Sequence, residues 1–395
     1  MLVRPITREE QIASAQLFAI AFESPFDPKN LTPFAENPVI WAAFDEKSGE
    51  MMSTVYVTDY TVQFDGSACK MGGVGGVASL PEYRRAGGIR ACFQAALAAM
   101  YREGYVFSYL YPFSTAYYRK FGYESCVRRY QAVVDLRQLR PEPFSGSFRL
   151  ARGGDALLHA VRSIDAVWEA QYNMMVQHTD ADYRWLLEAA PAEKQDFIYA
   201  AFSEAGEPVG YTVFRKHDEP DGRNLVCSRF RFLGREGFAA LLHLFSRLAA
   251  DHRYVKFPLP VCTSMQYLFP EWLLGAARWE LQNAGMVRVV NAAEALRRAR
   301  CLGSGSVTLR LHDAQLAEND GCFTVDFENG RAVRVERTAR RPDAALEIGA
   351  FSALLSGVCR FEDAARYMPG VEVFQDSAPL GQIFFEKPLL IEDYF

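Results

Sequence analysis

One stretch governs what this chain can fold into: Gly72-Gly73-Val74-Gly75-Gly76-Val77-Ala78-Ser79-Leu80-Pro81-Glu82-Tyr83-Arg84-Arg85-Ala86-Gly87-Gly88-Ile89-Arg90. The β-prone run Ser67–Ser79 leads into it. Beyond Pro81, apolar residues at Ile89, Cys92, Phe93, Ala96, Leu97 and Met100 mark one face of a helix. A strand therefore ends in a basic, glycine-containing loop that opens into a helix. Free backbone N–H groups at a helix start, glycines that allow close approach and two arginines together suit a pyrophosphate. The spacing fits neither G-x-x-x-x-G-K-[ST] nor G-x-G-x-x-G, which excludes a P-loop and a dinucleotide fingerprint. Two readings stand side by side: an anion site, or a solvated turn with two surface arginines.

Upstream, Ile12 to Phe22 reads as an apolar helix, followed by a loop carrying Pro25, Pro28 and Pro33. Runs Met51–Phe64 and Ser67–Ser79 meet at Asp65-Gly66, a two-residue hairpin signal. Downstream, Gly104 ends the helix and Tyr105 to Tyr111 is short, aromatic and β-prone. The middle third repeats the order more weakly, with strands at Phe197–Phe202, Val209–Arg215 and Leu225–Phe232. These lead through Gly234 and Gly237 into a helix at Phe238–Ala250, with no arginine pair before the glycines. From about Met286 short strands alternate, with a turn at Asn329-Gly330. Helical stretches at Ala350–Leu355 and Phe361–Met368 follow, which suggests a further α+β domain.

At 395 residues the chain is long enough for two or three such domains. A formal net charge of −5 gives no general attraction to nucleic acid or anionic lipid, so neither partner is expected. The eight cysteines form no C-x-x-C pair and no zinc-finger spacing, so reduced thiols and no metal are expected. The polar N-terminus and the lack of a long apolar run point to a cytoplasmic protein without a membrane span.

Arg84-Arg85-Ala86-Gly87 resembles the R-R-x-G acetyl-CoA loop of the GCN5-related N-acetyltransferases (GNATs). The wider family carries a small residue where this chain has Ile89. The Eis-like branch (enhanced intracellular survival proteins) instead follows R-R-x-G with apolar residues and Arg, as in Gly88-Ile89-Arg90. A second match, Tyr117-Tyr118-Arg119-Lys120-Phe121-Gly122-Tyr123, is similar to the family's Y-x-[RK]-F-G-[YF] segment. The resemblance covers the whole chain. It implies an α+β protein with tandem GNAT folds, each a mixed sheet flanked by helices, and a sterol-carrier-like α+β tail. The expected domains are residues 1–144, catalytic and binding acetyl-CoA, 145–285, a degenerate second copy, and 286–395, which would deliver the C-terminal carboxylate. A homo-oligomer, a hexamer, is implied as well.

By the same resemblance, Val77, Ala78 and Ser79 would meet the pantetheine arm and the thioester. Arg84, Arg85, Gly87, Gly88 and Ile89 would hold the pyrophosphate end. Tyr118 maps onto the general acid that protonates the leaving thiolate, with Tyr117 its neighbouring rival; a phenol near pKa 10 is protonated at neutral pH. The first third of the chain has no histidine to serve as base. In Eis-like proteins the terminal carboxylate reaches the active site, which points here to Phe395. Phe22, Glu23, Phe26, Trp41 and Tyr394 are candidates to line an amine pocket, since aromatic faces and carboxylates suit cations. Glu392 and Asp393 would add negative charge there. The expected function is direct acetyl transfer to primary amines of aminoglycoside-like or polyamine molecules. Two rivals are protein or peptide lysine acetylation, and a lipid-binding carrier on an inactive GNAT scaffold.

Overall fold

The computed structural model describes residues 1–30, 37–188, 196–220, 222–263, 265–268, 277–375 and 378–393. The chain forms two compact units. One holds Met1–Val127, Gly285–Lys387 and Asp393, and the other holds Arg128–Ala284 and Pro388–Glu392.

The first unit begins with β1 (Leu2–Pro5), α1 (Gln11–Phe22), β2 (Val39–Phe44), β3 (Met51–Phe64), β4 (Ser67–Ser79), α2 (Gly88–Arg102), β5 (Phe107–Leu110) and α3 (Thr115–Arg119). The Asp65-Gly66 hairpin forms as expected, with φ of 49° and 85°, the left-handed pair that such a turn needs. Strands β1 to β4 are antiparallel neighbours, whereas β5 runs parallel to β4, with α2 as the crossover. β2 shows why the sheet is covered on both sides. Ile40, Ala42 and Phe44 face Leu17 of α1, while Trp41 and Ala43 face Phe93 and Leu97 of α2. Each large apolar side chain sealed there contributes about 1.5–3 kcal/mol.

The second unit takes up β6 (Glu124–Asp135) from Arg128 onward. Next come β7 (Ser147–Leu150), α4 (Leu158–Gln171), α5 (Asp180–Leu187), β8 (Phe197–Phe202), β9 (Pro208–Glu219), β10 (Gly222–Phe232), α6 (Gly234–Ser246) and β11 (Tyr254–Pro260). The strands lie in the order β6-β11-β10-β9-β8-β7. Helix α6 starts at Gly234, earlier than the periodicity implies, and takes Gly237 inside it. A Cβ on Gly237 would collide with the carbonyl oxygen of Val209, so the glycine lets α6 lie directly on β9. Only Leu233 separates β10 from α6, which leaves no loop between the strand and the helix.

The chain returns to the first unit along β12 (Ala277–Val289), which pattern reading misses. Its last residues pair with β5, from Met286↔Leu110 to Val289↔Phe107. After α7 (Ala292–Arg298) come β13 (Gly305–His312), β14 (Gly321–Glu328), β15 (Arg331–Arg337) and β16 (Ala344–Glu347). They are followed by α8 (Ile348–Ser356), α9 (Phe361–Tyr367) and β17 (Val371–Val373). These strands form a separate sheet, β15-β14-β13-β16-β17. Helix α8 is apolar nearly all round and correspondingly buried. The β3–β4 hairpin tip is tied to this part of the unit, where Oδ2 of Asp65 accepts from Nζ of Lys387 at 2.6 Å and from the amide of Arg300 at 2.7 Å. Among the described residues no disulfide joins the cysteines, and no helix is long and apolar enough to cross a membrane.

Candidate active site

The site starts from an irregularity in β4. Its register with β3 runs Ser53↔Ser79 and Thr54↔Ala78 but then Tyr56↔Gly75, so β4 holds an extra residue at Gly76-Val77. Gly76 has φ of 52°, and a Cβ there would lie 2.6 Å from the Tyr56 ring; only glycine makes this bulge without strain. Oγ1 of Thr54 donates to the Gly76 carbonyl at 3.1 Å and fixes it. The β4–β5 ladder ends at Val74↔Leu110. Gly75 to Ser79 therefore run on past the end of the β5 ladder, which leaves their backbone edge away from β3 without a strand partner among the described residues.

Beyond Ser79 a short turn, Pro81–Tyr83, is held by a 2.7 Å hydrogen bond from the Tyr83 hydroxyl to Glu50. Arg85 and Gly87 then adopt left-handed φ of 69° and 88°. The first intrahelical bond of α2 runs from the Ala91 amide to the Gly87 carbonyl, and no side chain caps the helix. The amides of Gly88, Ile89 and Arg90 are thus available to a ligand. A Cβ on Gly88 would come within 2.5 Å of Oγ of Ser53, so the helix start rests on β3. Ser53 in turn hydrogen-bonds Ser79 at 2.5 Å. Arg84, Arg85 and Gly87 are exposed, and neither arginine enters an ion pair among the described residues.

Tyr118 lies on α3, whose N-cap Ser114 accepts a hydrogen bond from the Tyr117 amide. Its buried ring meets Phe93 edge-on at 6.1 Å, Phe113 at 5.4 Å and Tyr117 at 5.3 Å. Burial raises its pKa above the ordinary phenol value, and Tyr117 and Tyr123 add to the effect. Its hydroxyl makes no hydrogen bond among the described residues. Tyr117 is only half-buried; burial raises its pKa too, while the positive charge of Arg90 opposes the shift.

Val77, Ile89, Trp41, Tyr117 and Tyr118 pack with Val74, Phe93 and Leu110 in one apolar cluster on the α2 side of the sheet. Phe22 and Glu23 do not join them, because α1 covers the opposite face. Phe22 is half-exposed and packs at a tilt on Phe18, ring centres 4.4 Å apart, and Phe18 itself meets Tyr56 at 6.1 Å. Glu23 is the exposed left-handed C-cap of α1, and Phe26 is partly buried in the loop beyond. Phe113, 75% exposed beside Tyr117 and Tyr118, escaped sequence reasoning, and the break after β5 at Tyr111-Pro112 was its only signal.

Tyr394 and Phe395 lie outside the described residues. The segment before them is held in the second unit. Its Leu390 is buried beside Trp168, its Leu390 amide donates to the Asn173 carbonyl at 3.0 Å, and the Asn173 amide returns a bond to Pro388 at 2.8 Å. Glu392 does not offer open negative charge, contrary to expectation. Its buried carboxylate accepts from Nη2 and Nε of Arg231 at 3.0 and 3.2 Å, and Nη1 of Arg231 lies 2.7 Å from Asp165.

Comparison with known proteins agrees with this geometry. Residues 2–126 match an acetyltransferase (GNAT) domain family, residues 174–289 match a second acetyltransferase (GNAT) domain family, and residues 289–368 match a sterol carrier protein domain. No curated protein sequence matches the chain. Among solved structures, a probable N-acyltransferase from Enterococcus faecalis V583 superposes with a TM-score of 0.86 at 21% identity, covering 100% of this chain and 99% of its own. A GCN5-related N-acetyltransferase from Anabaena variabilis ATCC 29413 gives 0.84 at 18%, and Eis1 from Mycobacterium abscessus gives 0.79 at 18%, each covering 100% of both chains. The open edge of β4, the uncapped start of α2 and these matches lead to one assignment: an N-acetyltransferase of the GNAT superfamily on the Eis-like plan of two GNAT domains and a sterol carrier domain.

Proposed function

We propose that residues 1–144 transfer the acetyl group of acetyl-CoA to a primary amine of a small polycation, aminoglycoside- or polyamine-like, by direct attack in a ternary complex. The observation that carries this reading is the run from the β4 bulge to the uncapped start of α2. It supplies backbone donors along an extended arm and, at its end, free amides beside two unneutralised arginines. Those residues fit acetyl-CoA, which brings an activated thioester as co-substrate. In this reading the Val77 amide donates to the thioester oxygen as negative charge builds there. The C–N bond forms as the C–S bond breaks, the departing thiolate takes the Tyr118 proton, which burial retains at neutral pH, and the proton shed by the new amide nitrogen restores the phenol. The attacking ammonium has an ordinary pKa near 10.4 and must first lose a proton. The terminal carboxylate of Phe395 would hold it and accept that proton directly or through water.

Phe22, Glu23, Phe26 and Tyr394 are assigned to the cation side. Trp41 is assigned there too, as it packs in the cluster that holds Tyr117 and Tyr118, and the exposure of Phe22 and Glu23 leaves both open to a cation. A homohexamer and a cytoplasmic address complete the proposal. The lipid-carrier rival asks for a closed apolar cavity in the last domain. The cavity of about 630 Å³ beside α8 and α9 is open rather than closed, and its walls carry Arg119, Glu124, Glu347 and Asp363 beside Ile348 and Met368.

Acetyl-CoA turnover over aminoglycosides, polyamines and lysine peptides tests the proposal, comparing the intact protein with Tyr118→Phe and with Phe395 deleted. Acetylation of small polycations that both changes abolish is the expected result. Preference for peptides would move the assignment to protein acetylation, and full activity without Phe395 would remove the carboxylate from the mechanism.

A further inference from the structure

Helix α3 is a single turn, too short to hold its own position in water. Its exit leaves the carbonyls of Lys120 and Phe121 without a following helical amide. Both are taken by side chains that arrive from far downstream. Nη1 of Arg288 donates to the Phe121 carbonyl at 2.8 Å, and Nε2 of Gln315 donates to the Lys120 carbonyl at 3.1 Å.

The clamp itself is rigid. Arg288 and Asp313 are fully buried, with Nη2 of the arginine 2.8 and 2.7 Å from the two carboxylate oxygens. Asp313 also accepts from the amides of Gln315 and Leu316 and from Asn319, so it cannot swing away. Arg288 sits on β12, registered opposite Ser108 of β5. Gly122 completes the fit, because with φ of 80° its missing Cβ leaves the space that the Arg288 guanidinium and Ile348 occupy. The Phe121 amide bonds back to the Tyr118 carbonyl at 2.9 Å, so the clamped residues are one hydrogen bond from the proposed acid.

We propose that Arg288 and Gln315 are positioning residues for Tyr118, holding α3 so that the phenol meets the leaving sulfur. This gives residues at and beyond the end of the second GNAT domain a part in acetyl transfer without contact with either substrate. It rests on the assignment of Tyr118 as acid. Lysine cannot replace Arg288, since one ammonium cannot serve the Phe121 carbonyl and both Asp313 oxygens in that fork.

The test uses the full chain carrying Gln315→Ala or Arg288→Lys, each with Tyr118 intact and with Tyr118→Phe. With Tyr118 intact, kcat is expected to fall by about tenfold or more in Arg288→Lys and less in Gln315→Ala. KM for acetyl-CoA should stay unchanged. Gln315→Glu should lose at least as much as Gln315→Ala, because a carboxylate cannot donate to the Lys120 carbonyl. In the Tyr118→Phe background neither change should cost anything further, as residues acting through one group are non-additive. The gently placed Gln315→Ala keeps the test valid should Arg288→Lys fold poorly. Equal fractional losses in both backgrounds, or full activity of Gln315→Ala and Arg288→Lys alongside a crippled Tyr118→Phe, would overturn the positioning role. A fully active Tyr118→Phe would instead remove the acid assignment, and the inference with it.

Discussion

Nη2 of Arg231 lies 3.0 Å from Oε2 of Glu392, with both side chains shut away from water and Asp165 on the other side of the guanidinium. One cation thus balances two carboxylates, and the two ways of breaking the group are not equivalent. Arg231→Met leaves both carboxylates buried without their cation and should cost about 3–5 kcal/mol. Glu392→Gln keeps the Arg231–Asp165 pair and should cost about 1–3 kcal/mol. Denaturant melts of the two variants check the order, and a milder Arg231→Met would refute it.

Tyr118→Phe separates chemistry from stability. The hydroxyl has no hydrogen-bond partner among the described residues, so its removal should leave the melting temperature nearly unchanged. Turnover should fall by roughly 10²–10⁴-fold, the usual worth of a positioned acid. Because burial raises the Tyr118 pKa, its deprotonation should cause no loss of turnover up to about pH 10 in the wild-type profile. A basic limb centred well below that value, absent in Tyr118→Phe, would count against Tyr118 as the acid.

Alkaline stability follows from the same cause. Burial pushes Tyr123 up to about 12, with its Ser108 hydrogen bond and the charge of Arg288 pulling the other way. The folded value exceeds the unfolded one near 10, so the stabilisation is complete below about pH 10 and is lost as pH rises toward 12. Melting temperatures measured from pH 9 to 11.5 should fall above 10, and less steeply in Tyr123→Phe. An unchanged slope in that variant would show that Tyr123 does not contribute.

Gly76→Ala probes the β4 bulge. The new methyl would meet the Tyr56 ring at 2.6 Å on a backbone with φ of 52°, which should cost about 1–3 kcal/mol. Flattening the bulge would also re-aim the Val77 amide, raising KM for acetyl-CoA as stability falls. Calorimetry of acetyl-CoA binding beside thermal melts reads the two effects, and tight binding by a destabilised variant would detach the bulge from ligand recognition.

The parts legible in the sequence were those whose signal is local. The strand-like runs on either side of Asp65-Gly66 mark β3 and β4 to the residue, and the apolar spacing from Ile89 to Met100 marks α2. The loop at Arg84 to Gly88 was readable because glycine and charge occur there together. What escaped depends on distant partners. β12 carries Arg288 next to its last residue, which reads as surface until Asp313 neutralises it. Glu392 reads as a solvated terminal charge until Arg231 covers it. Alternation in β2 shows that Trp41 and Ile40 face opposite ways, yet only the positions of α1 and α2 decide which face joins Tyr118. Gly237 looks like a boundary until the Val209 carbonyl is seen where its Cβ would be.

The return of β12 to β5 has a consequence for how the molecule is made. On the ribosome β5 emerges early, but the residues that cover its outer edge, Met286–Val289, follow only after Arg128–Ala284 has been synthesised. The second unit is finished later still, by Pro388–Glu392. Each unit therefore carries an unsealed edge or groove during biosynthesis, when nascent chains are most prone to wrong pairing. A stop codon before residue 285 would leave both permanently unfinished, and one before residue 388 would deny the second unit its closing segment.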